Sequence, residues 1–584
     1  MRRSSSLALL ACLFVLPVAS PGVASGTILN VPESYPTISQ AIDFAAEGDT
    51  VLVAPGTYYE NLQFRGVDIV LLSSGGMEVT TIDGGTNGPT IVIDQGEGRG
   101  LVVEGFTITG GQYVLQIDQR GIVIRDSSPT IRHNWIRDNC TGDITQALGA
   151  GIYAGGASSP CIENNLIESN IAYQTLLIPA GGGIYLESYL PLPFPARIVG
   201  NVIRDNRVTG SFEVSGGGVY VEVAVPTDCV FEGNEVTGNR AAAESAGSAS
   251  GGGIYANCDL RNCVVSGNVA TGGKAYGGGV LSLSPGMCEG LVVEANEVHA
   301  NNLSYPTATG GGIKSNSQVI GCVIAGNRAA VQDLPGGLRS WSMSKGGGVL
   351  FTGTRLEGCT IAGNVSGGGT DQNWGAGLCI EAAGAMVSRC ILSGNRFETP
   401  GQGSGVAGSP ASFACNDVWD NDGDDFYGFP DPCGQDGNFS ADPIFCPVEP
   451  PDYTLRDDSP CAPGNHPGGW DCETIGARGV ACVAAGAADA GVAGRFDLRL
   501  LPIPARETVE MELTLPRAAD LRVEVFTVDG ARVATVLDGP REPGVVHASW
   551  DGLLSGGRRA APGVYWVRAD AGGEVRTGKV VLAR

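Results

Sequence analysis

Basic residues are scarce in this chain of 584 residues, which has 36 Lys and Arg against 61 Asp and Glu and a formal net charge of −25. Only four residues are lysine: Lys274, Lys314, Lys345 and Lys579. No basic cluster is present to neutralise phosphates, which excludes a nucleic-acid partner. The acidic residues are spread along the chain and indicate a solvated surface.

Charged residues make up only 17% of the chain and aromatic residues 7%, against 43% apolar residues. The chain is therefore too apolar to be disordered, and it has too few helix formers for a coiled coil. Glycine is abundant, with 90 residues, but no Gly-X-Y period is present, which excludes collagen. The length predicts more than one domain unless a repeat allows one unit to grow.

The first 25 residues have the pattern of a signal peptide. Arg2 and Arg3 precede the apolar stretch Leu7–Val18, and the small residues Val23-Ala24-Ser25 follow. This stretch is shorter than the ~20 residues of a membrane span, and no later segment is long enough to span. The pattern predicts a chain that is secreted or displayed on the outer-membrane surface, with no retained transmembrane segment.

A repeat runs through most of the chain. Its pattern is apolar-x-x-[Asn/Cys]-x-apolar-x-x-Asn, and a Gly-rich turn such as Gly216-Gly217-Gly218 before a short strand separates successive copies. Ten copies start at Ile131, Ile162, Ile198, Phe231, Leu260, Val293, Val319, Leu356, Val387 and Phe413. Each copy has short alternating apolar runs that are too small to form a core alone, so the copies must stack.

Stacked coils place equivalent positions about 4.8 Å apart, where asparagine amides can donate to and accept from one another. Asparagine also tolerates the left-handed backbone of a turn. The first Asn/Cys position of the ten copies is filled by Asn134, Asn165, Asn201, Asn234, Cys263, Asn296, Cys322, Cys359, Cys390 and Asn416. The pattern predicts an all-β fold, a parallel β-helix solenoid with a structural ladder at this position.

These repeats, together with Asp49-Thr50-Val51-Leu52-Val53 and Ala441-Asp442-Pro443-Ile444-Phe445, resemble the right-handed parallel β-helix proteins of the pectin-lyase-like superfamily. The resemblance covers roughly residues 27–482 and implies the fold rather than an activity, because the superfamily contains lyases, hydrolases, epimerases and non-enzymes. A short helix between Thr37 and Ala46 is expected to cap the open end of the solenoid.

Ten of the 17 cysteines fall into two groups. Those in the ladder are expected to be buried thiols, with at most one bridged pair among Cys322, Cys359 and Cys390. The second group lies in a Pro-, Gly- and Asp-rich region that buries little, and we expect disulfides there, with Cys461–Cys472 as the preferred pair. This candidate cluster consists of Cys415, Cys433, Cys446, Cys461, Cys472 and Cys482.

A second domain is predicted at residues 495–584, after a Cys-rich cap that ends at 482 and an Ala/Gly-rich linker at 483–494. Alternating runs and the turns Asp529-Gly530 and Asp551-Gly552 predict a small immunoglobulin-like sandwich. The segments Val525–Val533, Pro562–Val567 and Lys579–Leu582 resemble C-terminal sorting domains of type IX secretion and the flagellar hook-capping immunoglobulin-like domain. The resemblance implies that the secretion machinery of the outer membrane is a partner.

Alternation in the Gly-preceded strands predicts an outward row of tyrosines with glutamates beside it. The row is Tyr153, Tyr185, Tyr220 and Tyr255, and the glutamates are Glu187 and Glu222. One interpretation is a glycan-binding stripe of ring faces with an acidic cation site; the other is an ordinary cross-coil ladder that stabilises the sheet. No other metal site is expected, and Ca²⁺ at the glutamates is the one candidate cofactor.

No catalytic set is evident. The outward positions of the tyrosine coils hold no Lys or Arg to act as a lyase base, and none of the four histidines has a carboxylate, Ser or Cys partner at a telling spacing. We therefore predict a monomeric binding or structural protein, adhesin-like and with a polysaccharide as the candidate ligand. The alternative is a polysaccharide lyase or glycoside hydrolase acting on acidic polysaccharides.

Overall fold

The computed structural model describes residues 26–85, 88–110, 120–142, 147–174, 178–244, 247–284, 286–301, 305–331, 342–368, 372–448, 450–483, 496–501, 508–515, 517–527, 531–554, 559–560 and 563–582. The predicted signal peptide and residues 484–494 of the predicted linker lie outside the described residues. The chain divides into two compact units, Met1–Cys482 and Val483–Arg584. The first is a right-handed parallel β-helix and the second an immunoglobulin-like sandwich, which confirms the predicted fold class.

Each full coil of the solenoid passes through sheets 1, 3, 4, 5 and 2 in that order, and every strand pairs in parallel with its equivalent in the next coil. Sheet 1 consists of Ile28–Val31, Thr50–Val53, Val70–Ser73, Val102–Glu104, Thr130–Arg132, Cys161–Glu163, Ala196–Val199, Cys229–Glu232, Leu260–Arg261, Met287–Glu289, Gln318–Ile320, Arg355–Glu357, Met386–Ser388 and Ser412–Ala414. Sheet 2 consists of Leu62–Gln63, Ile91–Ile93, Ile122–Arg125, Ile152–Gly155, Ile184–Ser188, Val219–Val223, Ile254–Ala256, Val280–Ser282, Ile313–Ser315, Val349–Phe351, Leu378–Ile380, Val406–Ala407 and Phe426–Tyr427.

The other three sheets complete the coils. Sheet 3 consists of Gly56–Tyr58, Thr80–Asp83, Thr107–Thr109, Trp135–Arg137, Leu166–Glu168, Val202–Arg204, Glu235–Thr237, Val264–Ser266, Val292–Glu294, Val323–Ala325, Thr360–Ala362, Ile391–Ser393 and Asp417–Trp419. Sheet 4 consists of Cys140–Thr141, Ile171–Gln174, Arg207–Gly210, Arg240–Ala243, Val269–Gly272, Glu297–Ala300, Arg328–Val331, Val365–Gly367 and Arg396–Phe397. Sheet 5 consists of Glu213–Ser215, Ser248–Ser250, Lys274–Tyr276, Thr307–Thr309, Met343–Lys345 and Gln372–Trp374.

The N-terminal end of the solenoid is closed by helix α1, Ile38–Phe44. Its N-cap is Thr37, whose side chain accepts a hydrogen bond from the backbone N–H of Gln40. Ile38, Ala41 and Ile42 are buried against the first coils. The described residues also contain one short 3₁₀ helix, Pro226–Asp228.

The turn between sheets 1 and 3 carries the predicted ladder. The backbone N–H of Asn165 donates to Asn201 Oδ1 at 3.0 Å, and Asn165 Nδ2 donates to the same oxygen at 3.1 Å. The residue before each ladder position has the left-handed backbone, as Asn164 does with φ 54°. The ladder asparagines therefore act through their amides, and the expectation that they supply the left-handed geometry is wrong.

Asn296 does not belong to this ladder. Val264 pairs with Val292, so the residue equivalent to Cys263 is Leu291. Asn296 instead lies between Asn268 and Asn327 in a second ladder, at the turn between sheets 3 and 4. That second ladder is unbroken over ten coils and consists of Asn139, Asn170, Asn206, Asn239, Asn268, Asn296, Asn327, Asn364, Asn395 and Asn421.

Cysteine can replace asparagine in the first ladder because its single S–H faces the same two carbonyls. Asn201 Nδ2 donates to Ile162 O at 2.9 Å and to Val199 O at 3.3 Å. Cys359 Sγ lies 3.6 and 3.4 Å from the equivalent carbonyl oxygens of Val319 and Glu357, which its one S–H can share. The ladder cysteines Cys263, Cys322, Cys359 and Cys390 are buried and unpaired. Burial raises the pKa of Cys263 to about 11, so this thiol stays neutral.

The C-terminal end of the solenoid is covered by a cap that contains two disulfides, Cys415–Cys472 and Cys446–Cys482. The predicted pair Cys461–Cys472 is wrong: Cys461 is unpaired and buried, and Cys433 is unpaired and half-buried. The two short strands of the cap are Leu455–Arg456 and Val480–Cys482. Cys461 packs with Ile391, Phe439, Leu455, Cys472 and Ile475 in a small apolar core of its own.

The C-terminal unit has seven strands in two sheets around a single core. One sheet has the order Asp497–Leu501, Val509–Leu515, Gly544–Trp550, and the other Arg532–Arg541, Ala519–Thr527, Gly563–Ala571, Glu574–Leu582. Trp550 and Tyr565 meet edge to face in the core at 5.1 Å. Sequence reasoning missed Arg532–Arg541, which contains Pro540; proline is tolerated there because this strand lies at a sheet edge.

Candidate functional site

The glycine turns make a sharp inner corner between sheets 5 and 2. The first glycine of each turn is left-handed, with φ +62°, +63° and +62° at Gly181, Gly216 and Gly251. A Cβ on Gly216 would lie 2.3 Å from the carbonyl oxygen of Val219, so this backbone path requires glycine. Because the turn is sharp, outward side chains of sheet 5, before the turn, come close to outward side chains of sheet 2, after it.

We call this surface the glycine corner. It comprises outward side chains of sheet 2 (Tyr153, Tyr185, Tyr220, Tyr255 and Lys314), of sheet 5 (Tyr276, Lys345 and Trp374), and the carboxylates Glu187, Glu222 and Glu381 beside them. The contact across the turn is direct: Lys314 Nζ lies 3.7 Å from the ring centroid of Tyr276.

The four predicted tyrosines stack on one another in register. Ring centroids are 5.6 Å apart for Tyr153 and Tyr185, 4.9 Å for Tyr185 and Tyr220, and 4.7 Å for Tyr220 and Tyr255, and the rings are parallel within 9°. The guanidinium of Arg120 covers Tyr153 at 4.5 Å. Neighbouring rings cover one another, so the expected stacking of sugars on these faces is wrong. Tyr185 is buried and the other three rings are half-buried, so only parts of the ring edges and hydroxyls of Tyr153, Tyr220 and Tyr255 reach the surface.

The two predicted glutamates lie side by side on neighbouring strands, because Glu187 pairs in register with Glu222. Each accepts a phenol hydrogen bond, Glu187 from Tyr189 and Glu222 from Tyr220. The bond to Glu187 raises the pKa of Tyr189 to about 12, and burial together with Glu222 raises that of Tyr220, so both phenols remain donors at neutral pH.

Tyr189, like Tyr276 and Trp374, is an aromatic residue of this region that the sequence analysis did not single out. It is 78% exposed and follows the strand Ile184–Ser188 directly, with exposed Leu190 beside it. No group of three His, Cys, Asp or Glu side chains in the described ranges could hold a metal ion, so Ca²⁺ at Glu187 and Glu222 stays a prediction.

The corner also contains lysines that sequence reasoning missed because it considered only the tyrosine coils. Tyr255 pairs with Leu281 and Leu281 with Lys314, so Lys314 continues the tyrosine row two coils further on. The signal was present in the sequence as Gly310-Gly311-Gly312-Ile313-Lys314, which repeats the turn-and-strand pattern of the tyrosine coils.

A second lysine reaches the corner from sheet 5. Lys345 is only 12% exposed, and its Nζ lies 2.9 Å from Glu381 Oε1 and 4.4 Å from the ring centroid of Trp374. Trp374 in turn contacts Tyr427, with centroids 5.9 Å apart. The far end of the corner is thus cationic and aromatic, whereas the end around Glu187 is anionic.

Two histidines have carboxylate partners, contrary to the expectation from spacing. His299 Nε2 lies 2.6 Å from Glu297 Oε2 on the same strand, and His133 Nδ1 lies 3.1 Å from Glu104 in the preceding coil. Neither pair lies at the glycine corner, since both are on other sheets.

Comparison with known families agrees with the fold. Residues 69–270 match the family model described as the right-handed beta helix region, and residues 504–574 match the FlgD Ig-like domain. No curated protein matches the chain. Fold and family matches together define a protein with a right-handed parallel β-helix followed by an immunoglobulin-like domain. Within the part of the chain that the structure describes, no helix is long and apolar enough to cross a membrane.

Proposed function

We propose that this protein is secreted or held on the outer-membrane surface, where it binds a glycan at the glycine corner in an adhesin-like role. One observation carries the proposal: Glu187 and Glu222 stand in register beside the tyrosine row, with exposed Tyr189 next to them. Carboxylates and phenols hydrogen-bond the hydroxyls of a sugar, and an exposed aromatic ring packs against its apolar face.

The tyrosine row itself has a supporting role in this proposal. Its stacked rings pack neighbouring coils against one another, and the half-buried phenol of Tyr220 donates to Glu222 and holds it in place. A repeating surface of this kind suits a repeating polymer, because each coil step of about 4.8 Å presents the same kind of groups again.

Export would be served by the C-terminal unit, acting as a sorting domain for the secretion machinery of the outer membrane. What supports this part of the proposal is the resemblance of its motifs and the match to the FlgD Ig-like domain. The unit has its own apolar core around Val523, Trp550 and Val567, so secretion machinery could engage it separately.

A glycan array probed with the full chain tests the binding proposal. Tyr189→Ala and the double variant Glu187→Gln with Glu222→Gln should each weaken binding by about tenfold or more, the usual effect of losing a hydrogen bond to a charged group or an aromatic contact. Tyr59→Ala is the matched control, because Tyr59 is equally exposed at 78% but lies near the N-terminal end. Wild-type binding by the corner variants, or no bound glycan at all, would overturn the proposal.

A second candidate function is glycoside hydrolysis, which the placement of Glu187 and Glu222 favours. Neighbouring strands lie about 4.8 Å apart, close to the ~5 Å that separates the two carboxyl groups of retaining glycosidases. Release of reducing ends from the glycans that bind, abolished by Glu187→Gln and by Glu222→Gln, would identify this activity. Binding without release of reducing ends would leave the binding role alone.

A further inference from the structure

Lysine is rare in this chain, yet two of its four lysines, Lys314 and Lys345, lie on neighbouring coils at the cationic end of the glycine corner. Lys314 is half-buried, and its Nζ lies 3.7 Å from the ring centroid of Tyr276. Among the described residues no acceptor lies within hydrogen-bonding distance of that ammonium. A half-buried ammonium without an acceptor is costly, and burial accordingly lowers the pKa of Lys314.

Charge at this end of the corner is not balanced. Glu381 forms an ion pair with Lys345 at 2.9 Å, and it is also the carboxylate that acts on Lys314 through space. One carboxylate thus serves two ammonium groups. The aromatic rings of Tyr276 and Trp374 contact these ammonium groups. Two ammonium groups therefore face a single carboxylate, and one positive charge at this end of the corner is left for a bound anion.

The opposite end of the corner carries two carboxylates. Glu187 and Glu222 lie there in register and already share two phenol donors. From Glu222 to Lys314 is three coil steps, and from Glu187 four, which at about 4.8 Å per step is roughly 14 and 19 Å. The two ends therefore act on different sugar units of one chain.

Resting on the proposed function, we propose that the glycan is a mixed polymer in which uncharged sugars alternate with carboxylate-bearing ones. An uncharged unit lies against Glu187, Glu222 and Tyr189, and the carboxylate of a unit farther along the polymer accepts a hydrogen bond from Lys314, beside the ion pair of Lys345 with Glu381. A polymer charged at every unit places carboxylates against the glutamates, and a neutral polymer leaves Lys314 without its anion.

The test compares three polymers on the full-length protein by calorimetry at low and moderate salt. Hyaluronan carries a carboxylate on every second sugar, polygalacturonate on every sugar, and galactomannan on none. We expect hyaluronan to bind most tightly and with the largest loss on adding salt. Lys314→Met, which keeps a long side chain on Tyr276, should weaken hyaluronan binding by about tenfold, as for a lost hydrogen bond to a charged group.

Lys274→Met is the matched control, because Lys274 lies on the same sheet 5 strand as Tyr276 but is exposed. Lys314→Arg should retain most of the affinity. Equal hyaluronan affinity for Lys314→Met and wild type, or tighter binding of either other polymer, would overturn the inference while glycan binding as such stands. No binding of hyaluronan also overturns it, and the glycan array then decides separately whether the proposed function survives.

Discussion

The thiol of Cys461 donates to Asp417 Oδ2 across 3.3 Å in the interior of the C-terminal cap. The other carboxylate oxygen accepts from the backbone N–H of Ala441 at 3.0 Å, and Asp417 has no exposed surface. Burial raises the pKa of Asp417 to about 7, with Asp442 and Asp425 adding repulsion. This carboxyl joins the last coil of the solenoid to the cap.

Stability of the cap should therefore fall as pH rises from about 4 to about 7. In the folded protein the pKa of Asp417 lies above its ordinary value of 3.8, so the unfolded chain releases this proton at a lower pH than the folded protein does. Between these two pKa values the unfolded state is therefore favoured increasingly as pH rises. Asp417→Asn should remove most of this dependence, worth roughly 2 to 4 kcal/mol. Hydrogen exchange of cap amides against pH measures it, with Asp420→Asn, at an exposed site three residues away, as control. Identical profiles for wild type and Asp417→Asn would contradict the assignment.

The oxidation state of the cap cysteines makes a second prediction. Alkylation of the unfolded, unreduced protein should label Cys433 and Cys461 but neither member of Cys415–Cys472 or Cys446–Cys482. In the native protein, half-buried Cys433 should react before buried Cys461. Mass spectrometry of the labelled peptides reads out both results. A Cys461–Cys472 bridge would show that the pairing in the cap is different.

The first ladder allows a substitution that tests what its positions require. Asn201→Cys should be tolerated better than Asn201→Ala, because the S–H of a thiol can still donate to one of the carbonyls of Ile162 and Val199. The alanine variant leaves those groups and the N–H of Asn165 without the amide, which typically costs about 1–3 kcal/mol for each group. Denaturant midpoints measured side by side give the order. Equal losses for the two variants would mean that the thiol contacts contribute nothing.

Deletion of residues 495–584 tests the export role of the C-terminal unit. The solenoid has its own core and both cap disulfides lie before this segment, so the truncated chain should fold. We expect it to accumulate in the periplasm instead of reaching the surface or the medium. Fractionation with circular dichroism of the periplasmic protein separates failed sorting from failed folding. Wild-type amounts outside the cell would contradict the sorting role.

The coil repeat was predictable from the sequence because each strand pairs only with its equivalent one coil away. The one error of register, at Val293, has a local cause. Leu291 occupies the first ladder position of that coil, and the pattern search admitted only Asn or Cys there. Asn296 and Asn301 satisfied the same pattern five residues later. Only the pairing of Val264 with Val292 shows where the coil begins.

The site was less predictable, since it depends on how side chains meet across the glycine turn. Alternation placed Tyr185 and Tyr220 outward correctly, but alternation carries no information about ring orientation. Lys345 and Trp374 belong to sheet 5, whose strands lie before the turn, and nothing in their spacing connects them to Lys314. The cap pairings were equally hidden, because Cys415 and Cys472 are 57 residues apart.

The second ladder allows the number of coils, and with it the length of the solenoid, to change. The amide of Asn268, for example, bonds to the asparagines of the coils on either side, Asn239 and Asn296, and to the carbonyl of Val236 in the preceding coil. A duplicated coil would therefore find matching partners on both faces, and a deleted coil would let its neighbours rejoin. Gene segments of about one repeat could then lengthen or shorten the reach of the binding surface while both ends of the solenoid remained closed.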